Sequence, residues 1–253
     1  MITRYLFVAA LVGCATHPTV PAAPLPKNVV VRVRDEPQPS TTRPVWSSST
    51  LRISGGNFAA ALEAPFEDAV PVVDDAKKAG LVTNCREYFR LSQLGFGTVS
   101  EENHNILRTE GVRCLAITRT GAMEPGAGTP ETAFLKDATL TQKVPPTLGP
   151  SISDDELATR ETSAQKGFSW SQYTAPLTFE VKDGSVIVKE VDTTSELTPI
   201  AAGDLNGDGV QELLVQAVCS GRQGDWVDLR LLVLSPETRN GETFYRLLES
   251  VRP

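Results

Sequence analysis

An α+β fold, a helical N-terminal half packed with a C-terminal antiparallel β-sheet, is predicted by three observations. Between residues 51 and 125 short apolar runs follow helix-capping residues, Asn57, Asn84 and Ser100. From Leu177 onward apolar and polar residues alternate with period two. An oxygen-rich loop, 204–212, interrupts that alternating region. With 40% hydrophobic residues, the chain beyond position 50 has material for one core, in one domain or one domain with two subparts.

Taken in order, residues 1–13 carry one basic residue, Arg4, and an apolar run from Tyr5 to Val12, which reads as a signal peptide. The run is far shorter than the ~20 residues of a spanning helix. Residues 14–50 are rich in Pro, Ser and Thr and are expected to form an extended tether, apart from Val29 to Val33, which suits a short strand.

In the helical subdomain, 51–125, Asn57 is positioned to cap a helix that stops before Pro65. A second short helix is expected from Asp74 to Ala79. Asn84 with Glu87 resembles a capping box that opens a helix at Cys85, and Ser100 starts another at Glu101 that reaches Gly111 or continues through Cys114 to Ile117. Residues 126–152 have the composition of a long loop, a boundary or a surface excursion, with Gly126, Gly128, Pro130, Pro145, Pro146 and Pro150. Ser153 and Glu156 form a capping box for a helix from Asp154 to Lys166, closed by Gly167. Trp170 and Tyr173 suit core anchors, with a sugar-stacking surface as the alternative.

The strands follow. Leu177 to Lys182 and Ser185 to Val191 flank the two-residue turn Asp183-Gly184, which places Phe179 and Val181 on one face with Val188 and Val186. Leu197 to Ala202 leads into the loop and Leu213 to Val218 leads out. Trp226 to Leu234 puts Val227, Leu229, Leu231 and Val233 on one side, and Thr243 to Leu248 completes the sheet.

In the loop, oxygen-bearing side chains recur at alternate positions, Asp204, Asn206, Asp208 and Glu212, and Val210 can offer its main-chain carbonyl. A hard cation that takes six to eight oxygens is bound by such a set, so calcium is the expected ion. Gly207 and Gly209 suit the tight curl. An EF-hand would require a bidentate acid where Val215 stands, and the residues that follow read as a strand. The loop instead resembles the strand-joining calcium loop of FG-GAP repeats, over about a dozen residues. Those proteins carry several copies and this chain has one, so a multi-bladed propeller is not expected.

Leu11-Val12-Gly13-Cys14 resembles the lipobox of bacterial lipoproteins. That resemblance implies cleavage before Cys14, diacylation of its sulphur and, with Ala15 following, sorting to the outer membrane where the cell has two. Two acyl chains suffice for stable anchoring. Together, Cys85 to Phe89, Ala202 to Val215 and Val233 to Ser235 are similar to segments in a set of uncharacterised bacterial proteins and lipoproteins, from which no activity carries across.

Outside the cytosol thiols tend to oxidise. Cys14 is assigned to lipid, and any pairing among Cys85, Cys114 and Cys219 is open to the sequence, with Cys85 to Cys114 favoured over unpaired buried thiols. His17 falls in the tether and His104 among Glu101, Glu102, Asn103 and Asn105, as on a solvated helix face. A Cys85–His104 nucleophile pair has no supporting spacing. The formal charge of -7 argues against nucleic acid as a partner. The expected protein is lipid-anchored in the bacterial envelope, facing the periplasm or the cell surface, and non-enzymatic. Its calcium site would support a binding or assembly surface for another envelope protein. The alternative is an envelope hydrolase that uses carboxylates with calcium support, such as Glu101-Glu102 or Asp154-Asp155, although both pairs suit helix N-termini.

Overall fold

The computed structural model describes the backbone of residues 28–34 and 48–54, and residues 57–128, 130–221 and 226–253 with their side chains. The signal peptide, Cys14 and most of the Pro-rich segment fall outside the described residues. Strand β1 (Asn28–Arg34), which includes the Val29 to Val33 run, pairs antiparallel with β2 (Ser48–Ser54) in a separate ribbon.

Helix α1 (Phe58–Glu63) begins where Asn57 accepts the Ala60 N–H at 3.1 Å, and it ends ahead of Pro65. The next stretch corrects an expectation. Asp74 to Ala79 is not a helix but the connection of a hairpin, β3 (Val70–Val73) with β4 (Ala79–Val82). Asp74 turns its carboxylate onto the Lys78 N–H at 2.8 Å, a local bond that competes with helix formation. Val70 and Val72 bury the hairpin's inner face.

Helix α2 (Cys85–Gln93) is capped by Asn84, whose side chain accepts the Glu87 N–H at 3.0 Å. Helix α3 (Glu101–Gly121) is capped by Ser100 and runs unbroken through Gly111. Glycine is needed there for space: a Cβ at position 111 would lie 2.5 Å from the Tyr88 hydroxyl. Cys85 and Cys114 are disulfide-bonded, with a Cα–Cα distance of 5.2 Å, and join α2 to α3 across 29 positions.

Residues 126–152 also differ from expectation. They contain α4 (Pro130–Lys136) and two single 3₁₀ turns, Leu140–Gln142 and Pro146–Leu148. Each element sends a large apolar side chain inward, Phe134, Leu140 and Leu148, all buried. Proline and glycine set the turns here, but the segment is a packed layer rather than a surface excursion. Helix α5 (Asp154–Gln165) starts at Ser153, which accepts the Glu156 N–H at 3.2 Å, and α6 (Trp170–Tyr173) buries Trp170 completely.

The C-terminal half is a six-stranded antiparallel sheet in the order β10-β9-β8-β7-β6-β5, so the fold is α+β. Strands β5 (Thr178–Lys182) and β6 (Ser185–Lys189) pair Phe179 with Val188 and Val181 with Val186 across the Asp183-Gly184 turn. Then come β7 (Thr193–Gly203), β8 (Glu212–Gly221), β9 (Val227–Arg239) and β10 (Glu242–Val251). Pro199 sits at a bulge in β7, where an inner strand tolerates a residue without an N–H.

Period two divides the sheet's side chains between two cores. Leu214, Val218, Leu229, Leu231 and Val233 face α1–α3 and the β3–β4 hairpin. Leu213, Val215, Ala217, Leu232 and Leu234 face Phe134, Leu140, Leu148 and Trp170. Helical layers therefore cover both faces of the sheet. Residues 124–128 carry the chain from one layer to the other, beside the β7–β8 loop.

Candidate metal centre

The loop between β7 and β8 is ordered by its own acids. Asp204 Oδ1 accepts the N–H groups of Asn206 and Gly207, at 3.2 and 2.7 Å, and Oδ2 accepts that of Gly209 at 2.7 Å. Burial pushes the Asp204 carboxyl up, but the backbone N–H donors of Gly209, Gly207, Asn206 and Asp208 together hold it below the usual aspartate range. Gly207 and Gly209 take φ of 78° and 83°, which turns these N–H groups toward one carboxylate. Asp208 accepts the Val210 N–H at 2.8 Å, and Glu212, fully buried at the start of β8, accepts the Leu205 N–H at 2.8 Å.

Asn206 joins the two remaining acids. Its Nδ2 lies 3.0 Å from Asp208 Oδ2 and 3.1 Å from Glu212 Oε1, so the amide N–H groups sit between two carboxylates. A half-turn of that amide exchanges nitrogen for oxygen, and gives up the bond that Oδ1 accepts from the Asp208 N–H at 2.9 Å. The donor set Asp204, Asn206, Asp208 and Glu212 is then all oxygen, which fits a hard cation. Among the described residues no three His, Cys, Asp or Glu side chains gather around a common metal-sized centre. Asp208 and Glu212 meet only through Asn206, and the N–H bonds of the Asp204 carboxylate are to the loop backbone. The Val210 N–H and side chain are placed by Asp208 and solvent, the side chain being 37% exposed.

The loop also grips the crossover. Asp204 and Glu124 exchange backbone bonds at 2.8 and 2.9 Å. Ala127 donates to the Gly209 carbonyl at 2.8 Å and accepts from Gln211 at 3.1 Å, while the Gln211 amide donates to the Gly126 carbonyl at 3.0 Å. A Cβ on Gly126 would stand 3.0 Å from the Gln211 backbone nitrogen, so this approach needs a glycine. Nothing in the order of residues announces that 124–127 and 204–211 are neighbours; only the glycine at 126 hints at a close contact.

Two buried arginines were equally absent from the sequence reading. Arg160, 1% exposed, reaches Glu156, Glu190 and the Pro146 carbonyl, and Glu190 also accepts the Trp170 indole N–H at 2.5 Å. Arg230, 2% exposed, donates to the carbonyls of Thr147, Leu148 and Gly149 at 3.0, 2.9 and 2.8 Å. Its Nε lies 3.0 Å from Asp228 with poor hydrogen-bond alignment, so we read that contact as an ion pair rather than a directed bond. The available signal was a charged pair, Asp228 and Arg230, on the same face of the strand as the buried Leu232 and Leu234. Cys219 is buried as a free thiol, with Ser195 at 3.3 Å. His104 lies on α3, and the Cys85 sulphur is in the disulfide.

Comparison of the chain with family models, curated proteins and solved structures finds no match.

Proposed function

We propose that the chain is a non-enzymatic, lipid-anchored protein of the bacterial envelope, held at the outer membrane through Cys14, whose C-terminal sheet is braced by one calcium ion. Asp204, Asn206, Asp208, Glu212 and the Val210 carbonyl would hold the ion, which supplies positive charge where three acids share one short loop. The observation that carries the reading is the double attachment of this loop to residues 124–127. Whatever stiffens the loop stiffens the joint between the two helical layers. The resulting rigid body serves as a binding or assembly surface for another envelope protein. The loop's likeness to FG-GAP loops and the lipobox-like Leu11 to Cys14 support the two halves of the proposal.

The carboxylate-hydrolase alternative has less support. The cavity of about 890 Å³ beside β10 has one acid in its wall, Glu161. Asp154 and Asp228 do share a small cavity, but Asp228 is held by Arg252 at 3.0 Å and by Arg230.

A thermal melt with calcium and with chelator tests the ion. Ligand at a hundredfold excess over its dissociation constant stabilises by ~2.7 kcal/mol, a rise of about 5–10 °C for a chain of this size. Asp204→Ala should abolish the calcium response. Melts unaffected by both chelation and Asp204→Ala would sink the calcium reading. Cys14→Ser should release the protein from membranes, and retention would count against lipidation.

A further inference from the structure

We propose that Asn206 is a self-modification site, which the folded loop deamidates to aspartate or isoaspartate through a ring closed by the Gly207 nitrogen. The chain holds two Asn-Gly pairs, Asn206-Gly207 and Asn240-Gly241. Glycine has no side chain to shield its nitrogen, so in either pair that nitrogen can close a five-membered ring on the carboxamide carbon of the residue before it.

The first pair has the contacts that such a closure uses. The Gly207 N–H, whose nitrogen is the nucleophile, donates to the Asp204 carboxylate at 2.7 Å, and a charged acceptor of this kind draws the proton and leaves electron density on the nitrogen. Asn206 Oδ1, where negative charge develops on attack, accepts the Asp208 N–H at 2.9 Å. The leaving nitrogen, Nδ2, is held by Asp208 Oδ2 at 3.0 Å and Glu212 Oε1 at 3.1 Å, which fixes the amide plane. Asn206 and Gly207 are exposed, and a Cβ built at 207 would meet nothing within 4 Å, so water reaches the ring.

The second pair differs on each count except exposure. Asn240 and Gly241 form the tip of the β9–β10 hairpin, at φ of 52° and 80°, clamped by the Arg239–Glu242 pair. Among the described residues no carboxylate accepts the Gly241 N–H and no donor reaches the Asn240 carboxamide. The same dipeptide therefore serves as an internal control for the surroundings.

The reaction needs no reagent but water. The Gly207 nitrogen gives its proton to water and bonds to Asn206 Cγ. The Cγ–Nδ2 bond breaks, and Nδ2 takes up a proton from water and leaves as ammonia. A second water opens the ring at either carbonyl, leaving aspartate, or isoaspartate where the main chain now runs through the side chain. An amide that donates to two carboxylates is replaced by a carboxylate beside them. The reaction stands whether or not the loop takes an ion, whereas its consequence, a loop with a stronger demand for a cation, rests on the calcium reading.

The test is to hold the full chain at neutral pH in chelator, sample it over days, and resolve the peptides containing 206 and 240 by mass spectrometry. Asn206 should convert ~10-fold faster than Asn240, under the ~10²–10³ that one oxyanion donor supplies in a closed active site, because this loop is open to water. In urea, where the contacts are lost, the two sites should convert at like rates. Asp204→Asn should narrow the lead in the folded chain, and the urea arm decides where that variant does not fold. Equal or slower conversion at 206 in the folded chain overturns the proposal. So does a lead that persists in urea or is undiminished in folded Asp204→Asn. Added calcium should slow conversion at 206, because an ion that takes the amide oxygen removes it from the Asp208 N–H. A lead over Asn240 that calcium leaves unchanged counts against the calcium reading and leaves the self-modification standing.

Discussion

The two faces of the sheet are covered by different means. Toward α1–α3 the core contacts are apolar, with polar contacts from Arg119 to Glu249 and from Arg108 to the Val227 carbonyl, and a covalent bond, Cys85–Cys114, ties the covering helices to each other. Toward residues 130–173 the covering layer is made of short helices and single turns, whose carbonyls have few intrahelical donors. Arg230 and Arg160 provide donors to those carbonyls, at Thr147, Leu148, Gly149 and Pro146. Long helices satisfy their own backbone and need only an apolar stripe; short turns need polar groups carried into the core from elsewhere.

The largest expected effect breaks that second face. Arg230→Met fills a similar volume but leaves three buried carbonyls without their guanidinium, and it should cost about 3–5 kcal/mol in a denaturant melt. A loss under ~1 kcal/mol would mean that apolar packing alone holds the layer. Removal of the covalent tie on the other face, Cys85→Ala with Cys114→Ala, should cost about 3.6 kcal/mol by loop-closure entropy for a tie across 29 positions. The corresponding fall in Tm is about 7–14 °C. Equal melts of this double variant and the parent under oxidising conditions would show that the α1–α3 face depends on burial alone.

The same contrast explains what the sequence made legible. Asn84, Ser100 and Ser153 mark real helix starts because a cap is decided by bonds within four residues. The Asp183-Gly184 hairpin and the alternating face of β9 were readable for the same reason: turn chemistry and period two are local. The β3–β4 hairpin was not, because Asp74 and the alanine and lysines after it suit a helix until burial of Val70 and Val72 decides otherwise. Nor was the layer at 130–148, whose prolines and glycines signal turns but cannot say that Phe134 and Leu148 between them are buried. In the 204–212 loop the oxygen-bearing residues could be named from spacing. Their attachment to 124–127 is a contact across some eighty positions that no periodicity encodes.

The smallest effect sharpens the comparison, since it asks whether the polar face is sensitive to acid. Asp137, just after α4, accepts the Thr139 N–H and hydroxyl at 2.8 and 2.7 Å and meets Lys143 at 3.0 Å. Burial pushes its carboxyl up, yet the Thr139 donors and the Lys143 ammonium outweigh burial and hold it below the usual aspartate range. A carboxyl depressed in the folded state contributes stability at pH values above its ordinary range, ~3.9, and that contribution is lost as pH falls through the lower folded value. Melts of the parent and Asp137→Asn should therefore differ by up to about 1 kcal/mol near neutrality and converge in acid. A gap that stays constant from neutral to acid pH would place the effect in the Thr139 geometry rather than in the charge.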